Sequence, residues 1–185
     1  MTEIEGLCLV GGFVSESEEV RLLSCVDSSS WQGEIKRRVQ HYGWRYGYRT
    51  RHVDDSAYLG PLPAWMEALA GQVAGVWDSA RVPDQVIVNE YLPGQGISSH
   101  VDAPCFGPIL ASLSLGSDTT MTFGRLGEVR SLRLPSRSLL VLAGPARFEW
   151  THEIAARKSD IVDNARVFRV RRVSLTFRTV HRQNG

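Results

Sequence analysis

His100 and Asp102 stand two residues apart in the segment SSHVDAP. In an extended chain, side chains two positions apart share a face, so this pair can converge on one ion. Such a pair needs a third ligand, and His152, in the segment WTHEI, is the best candidate. Two histidines and one carboxylate on one side of a metal leave the opposite positions open, the arrangement of non-haem Fe(II) oxygenation sites. With no thiolate in the set, Fe(II) suits it better than a structural zinc. Each member also has a plainer reading, because His-x-Asp pairs recur by chance and most single histidines are hydrogen-bonded core or surface residues. His41, His52 and His181 have no partner at ligand spacing.

A second group lies in RRVSLTFRTV, where positions 172, 174, 176 and 178 read Arg, Ser, Thr, Arg and share one strand face. Leu175 and Phe177 point the other way, toward packing. At about 3.3 Å per residue the two arginine backbones stand roughly 20 Å apart. Guanidinium arms reaching inward narrow that gap to the span of a short dicarboxylic acid, and the planar fork of Arg grips carboxylate in bidentate fashion. The competing reading is an edge strand with alternating solvated charges.

These residues need a frame. Leu7 to Val10 reads as a short strand. Ser15 with Glu18 three residues on forms a capping box that starts a helix turning Val20, Leu23 and Val26 inward. A second helix starts near Pro63 and buries Trp65, Leu69 and Val73. From residue 85 onward the texture becomes short, alternating or β-branched runs bounded by Gly, Pro, Ser or Asp: 85–91, 109–115, 119–123, 129–134, 138–142 and 172–180. Helices followed by six or seven strands predict an α+β protein whose strands close as a sandwich or jelly roll, with a site in its mouth.

The 185 residues fit one domain, 1–185, with 43% hydrophobic and 22% charged residues and a net charge of +1. Three scattered cysteines with no CxxC pair argue against a disulfide framework or a zinc knuckle and for a reducing compartment. The start MTEIE is acidic where a secretory signal is basic, and no run reaches the length of a membrane helix. A cytoplasmic monomer with no membrane association is the expectation.

Taken in order, His-x-Asp, a histidine about fifty residues later and Arg–five residues–Arg about twenty beyond resemble the AlkB family of Fe(II)- and 2-oxoglutarate-dependent dioxygenases. The resemblance runs through NEYLPGQGISSHVD, SLGSDTTMTFG, LPSRSLLVLAGPARFEWTHEI and RRVSLTFR, with KRRVQHYGWRY added near the N-terminus. It implies a double-stranded β-helix (jelly-roll) core with N-terminal helices and a nucleotide-recognition flap, and the use of Fe(II), 2-oxoglutarate and O2. His100, Asp102 and His152 are the implied iron ligands. Arg172, helped by Tyr91 and Ser174, is implied to bind the distal carboxylate of 2-oxoglutarate, and Arg178 with Asn89 the end that chelates iron. RRVQHYG and the spacing in ARFEWTH look like the branch containing the animal wobble-uridine hydroxylase of tRNA. That enzyme also carries an RNA-recognition module and a methyltransferase domain, which do not fit in 185 residues, so the oxygenase alone is expected. One departure is Pro104, where the bacterial DNA-repair member has an acidic residue that reads the damaged base.

Nucleic acid, as RNA, tRNA or single-stranded DNA, is the expected partner. Between Lys36 and Arg51, six basic residues interleave with Tyr42, Trp44, Tyr46 and Tyr48, and the stretch holds no acid. Rings stack on unpaired bases while cations follow phosphates. Tyr42, Trp44, Arg45 and Tyr46 are therefore candidate substrate contacts, joined by Trp150 near His152 and by Arg147, which meets either substrate or an acid. A second basic run extends from Arg157 to Arg172. A protein side chain or small molecule as substrate, or a binding module without catalysis, are the competing readings.

Overall fold

The computed structural model describes residues 4–33, 36–77 and 81–181. Its elements run β1 (Leu7–Val10), α1 (Glu16–Asp27), β2 (Val39–Tyr42), α2 (Ala64–Val76), β3 (Gln85–Tyr91), β4 (Ile97–His100), β5 (Leu110–Leu115), β6 (Thr119–Arg125), β7 (Glu128–Leu134), β8 (Leu139–Leu142), α3 (Gly144–Phe148), β9 (Thr151–Ile154), β10 (Ser159–Val162), β11 (Ala165–Phe168) and β12 (Arg172–Arg178). A six-stranded sheet has the order β1-β8-β5-β12-β3-β2, and a four-stranded sheet the order β4-β9-β6-β7. All the pairings are antiparallel, and together the sheets make the jelly roll expected from the strand pattern.

Alternation along the strands divides the interior in two. Val86 and Val88 of β3, Val173, Leu175 and Phe177 of β12, and Leu113 and Leu115 of β5 pack with Leu22 and Val26 of α1 and Met66, Leu69 and Val73 of α2. Each such fully buried aliphatic contributes about 1.5–3 kcal/mol. Residues between these on the same strands face the other way, into the space between the sheets. There Leu140 and Leu142 of β8 meet Met121 and Phe123 of β6 and Ile154 of β9.

The helix starts are where the sequence puts them. The Ser15 hydroxyl accepts from the Glu18 amide at 3.3 Å, and the Ser15 amide donates to Glu18 at 2.8 Å, closing the capping box. The phase of α1 differs from the expected one: Leu22 and Val26 are buried, Leu23 is half-buried, and Val20 is 69% exposed. Leu22 and Val26 are four apart and fall on one stripe, whereas Val20 lies off it.

Glu90, only 1% exposed, points to the helix side and accepts from both Arg38 and Arg171. Arg171 also reaches Asp27 at the end of α1, so this ladder ties sheet to helix. Gly43, after β2, has φ +73, and a Cβ there would sit 1.9 Å from the Asp84 carbonyl oxygen. Only glycine lets the chain pass so close to the start of β3. Among the described residues no helix is long and apolar enough to cross a membrane.

Candidate metal centre and cavity

Strand pairing sets the site. β4 lies on β9 with His100 directly opposite His152, and their ring centroids are 4.4 Å apart. Asp102 follows β4, and its Oδ2 lies 3.4 Å from His152 Nε2. One donor atom from each of His100, Asp102 and His152 lies within 4.8 Å of the others, so the three can hold one metal ion. His100 Nδ1 is 2.7 Å from the Ser98 carbonyl. A proton held there leaves the Nε2 lone pair for a metal.

Charge around the triad favours its ligating forms. Burial, then the neighbouring His152, push His100 toward the neutral imidazole. For Asp102, burial is the largest influence and acts upward, but Arg178, His152 and His100 outweigh it and hold the carboxyl well below the usual carboxylate range. Arg178 Nη2 donates to Asp102 Oδ1 at 2.6 Å.

β12 sits between β5 and β3, which aligns Arg172 with Tyr91, Ser174 with Asn89 and Ser114, and Thr176 with Ser112. Tyr91, Asn89, Ser112, Arg172, Ser174 and Thr176 line a cavity of about 580 Å3 that also contains the three candidate ligands. The two arginines are buried at its two ends. Arg172, 4% exposed, donates to the Ser114 hydroxyl at 2.7 Å and stands 5.2 Å over the Tyr91 ring, while its Nε and Nη1 have no partner among the described residues. Arg178 Nε and Nη1 are likewise buried and unpartnered. Buried donors without partners are rare and costly, and a buried cation more so. An anion with carboxylates at both ends satisfies the free donors of both arginines, so the cavity fits a short dicarboxylic acid beside an N2O metal set.

The residues expected at the substrate divide. Tyr46 lines the cavity, and Arg45 is exposed. Tyr42 instead turns to the helices, bonded to Gln40 at 2.9 Å and edge-on to Trp65. Trp44 is buried with Val53, Phe106 and Leu110, against Tyr58. Trp150, 4% exposed, packs between the sheets with Met121 and Ile154, away from the cavity wall.

Arg147 meets neither substrate space nor an acid. It is 2% exposed and donates to the main-chain carbonyls of Asp102, Ala103, Phe106 and Gly107 at 2.9–3.4 Å, which fixes the loop carrying Asp102. The second basic run divides as well: Arg157, Lys158 and Arg166 are exposed, Arg169 and Arg171 are half-buried, and several of its cations are paired. Arg157 and Arg169 pair with Asp160, and Arg171 with Glu90 and Asp27.

Other wall residues carried a weaker signal. Lys36, Arg37, Tyr48 and Arg51 line the cavity, yet in the sequence they were only members of an aromatic, basic run. Arg51 donates to the Val101 carbonyl at 2.9 Å, joining that run to the metal loop.

Residues 6–178 match the family model described as the 2OG-Fe(II) oxygenase superfamily. The chain is 37% identical to the alkylated DNA repair protein ALKBH8 homolog of Arabidopsis thaliana, over 96% of this chain and 59% of that protein. It is 38% identical to the tRNA (carboxymethyluridine(34)-5-O)-methyltransferase alkbh8 of Xenopus tropicalis, over 85% of this chain but 26% of that one. This chain therefore spans about three-fifths of the first relative and a quarter of the second. In fold it matches the solved structure of OsALKBH1 with a TM-score of 0.74 at 18% identity, over 97% of this chain and 99% of that one.

Proposed function

The chain belongs to the 2OG-Fe(II) oxygenase superfamily, in its AlkB group, and we propose that it oxidises an alkylated or otherwise modified base in RNA, tRNA or single-stranded DNA. The observation that carries this reading is the charge of the cavity wall. Among the described residues of the wall, Lys36, Arg37, Arg51, Arg172 and Arg178 face a single carboxylate, Asp102. Arg172 and Arg178 account for a dicarboxylate co-substrate. Lys36, Arg37 and Arg51 lie on the flap with Tyr46 and Tyr48, where phosphate and an unstacked base are the complementary partners. The names of the two relatives, DNA repair and tRNA modification, point to the same class.

The superfamily uses Fe(II), 2-oxoglutarate and O2. When bound, Fe(II) supplies the oxidation in which 2-oxoglutarate becomes succinate and CO2 while a substrate C–H bond is hydroxylated. Each residue of the wall has a part. His100, Asp102 and His152 hold the metal on one side, and Arg178 keeps Asp102 ionised and aimed. Arg172, with Tyr91 and Ser174, grips the distal carboxylate, and Arg178 with Asn89 the keto-acid end. The apolar wall of Ile87, Met121, Leu140 and Leu142 keeps water from this region. A hydroxylated N-methyl group falls apart to formaldehyde and the free base, whereas a hydroxyl on carbon remains.

The test is to incubate the iron-loaded protein with bulk tRNA and a panel of alkylated oligonucleotides, then identify altered nucleosides by mass. A mass change of one oxygen or one lost methyl, dependent on 2-oxoglutarate, is expected. Succinate formation driven by peptides, with every nucleoside unchanged, would overturn the nucleic-acid reading.

A further inference from the structure

The flap segment 36–51 does more than face outward. Arg37 Nε donates to Asn89 Oδ1 at 2.8 Å, and the Arg37 guanidinium stands 5.4 Å from the Tyr91 ring, which also carries Arg172 at 5.2 Å. With its oxygen engaged by Arg37, Asn89 leaves its NH2 end to the cavity it lines. A donor therefore faces the carboxylate site, where the carbonyl end would repel an anion. Tyr48, from the same segment, also lines the cavity, and its hydroxyl is buried with no partner among the described residues. Burial pushes this phenol up, and the cations that draw it back are Arg37 and Arg178, so it remains a protonated donor. Its ring is held edge-on by His41 at 5.8 Å and Tyr46 at 5.3 Å, and Tyr46 packs on Phe106, the ring beneath Arg178.

We infer that segment 36–51 is a latch for 2-oxoglutarate: the Tyr48 hydroxyl donates to the co-substrate directly, and Arg37 acts as a positioning residue that fixes the Asn89 amide with its donors inward. The inference rests on the co-substrate reading above and adds two residues to it. It makes co-substrate binding and closure of the flap one event. The substrate face of the segment, with Tyr46 and Arg51, is then held more firmly when the co-substrate is bound.

The experiment measures 2-oxoglutarate binding by calorimetry with Mn(II) in the metal site, and tryptic cleavage after the exposed Arg45 and Arg49. Tyr48→Phe, which removes only an oxygen, is expected to weaken 2-oxoglutarate about tenfold, as for a lost hydrogen bond to a charged group. Arg37→Lys keeps the charge but loses the Nε contact, and it is expected to weaken binding by a similar factor. In an Asn89→Ala background the Arg37→Lys effect vanishes, because the two act as one unit. Arg166→Ala, at an exposed position of β11, leaves the affinity unchanged. In the wild type 2-oxoglutarate slows tryptic cleavage, and in Tyr48→Phe it does not. Wild-type affinity and full protection in Tyr48→Phe and Arg37→Lys would overturn the latch while leaving the co-substrate reading intact. A wild-type protein that fails to bind 2-oxoglutarate overturns both.

Discussion

Replacing Arg172 with Met should move binding and stability in opposite directions. Arg172 is 4% exposed, its guanidinium donates to the Ser114 hydroxyl, and among the described residues it has no acidic partner. Burial, its largest influence, pushes its pKa down. An unpaired buried charge costs several kcal/mol, while Ser114 and the Tyr91 ring return only about 1–2 kcal/mol. Met keeps the apolar stem and removes the charge, so the protein without 2-oxoglutarate should be as stable as wild type or up to about 3 kcal/mol more stable. For a chain of this size each kcal/mol is worth about 2–4 °C in Tm.

Binding should fall. Truncating one partner of a buried, hydrogen-bonded charge pair costs about 2–5 kcal/mol, which is roughly 30-fold to 4,000-fold in the Kd for 2-oxoglutarate. Thermal melts with and without 2-oxoglutarate read both effects. Wild type gains about 2.7 kcal/mol at a hundredfold excess over Kd, and the variant gains less than about 1 kcal/mol at that concentration. A variant that melts lower than wild type and still binds 2-oxoglutarate with wild-type affinity refutes the assignment of this buried cation to a carboxylate.

Asp102→Ala should abolish metal retention and all succinate production, and an active variant would remove the triad from consideration. Arg147→Met leaves four buried carbonyls short of a donor. It should lower stability by about 1–3 kcal/mol and weaken metal affinity, both read by denaturation with and without metal; a purely global loss, with metal affinity kept, argues against its role in shaping the Asp102 loop. For Asp160, burial acts upward, but the hydrogen bond and charge of Arg169, with Arg157, hold its carboxyl below the ordinary value of 3.8. The stability it lends is thus present above about pH 4 and lost as pH falls through the lowered value. Hydrogen exchange in β10 and β11 should quicken there in wild type but not in Asp160→Asn. Neutralising Arg45, Arg49 and Arg51 together should weaken oligonucleotide binding and flatten its dependence on salt, and an unchanged salt slope would place the phosphate contacts elsewhere.

Where function and local pattern coincide, the sequence was readable. The strand alternation at 172–178 separated the cavity face from the packing face, and the capping box at Ser15 located α1. What escaped depends on partners distant along the chain. Arg147 binds only main-chain oxygens, which have no residue signature. Arg38 and Arg171 looked like free cations until the fold brought Glu90 and Asp27 to them. Tyr42 and Trp150 carried an aromatic signal that equally suits a core, and the fold packs Tyr42 against the helices and Trp150 between the sheets. The β10–β11 hairpin, joined through Asp163 and Asn164, both at positive φ, did have a local sign in that Asp-Asn pair.

The facing of His100 and His152 across β4 and β9 has a bearing on how the chain assembles. β4 is an edge strand of only four residues, with an irregular register between Ile97 and His100. A slip of one residue would turn His100 to the opposite face and separate it from its partner. The two imidazoles therefore work as a register mark, legible only when the edge strand has zipped on correctly. Metal uptake during refolding should lag behind formation of the six-stranded sheet and report the moment the smaller sheet locks.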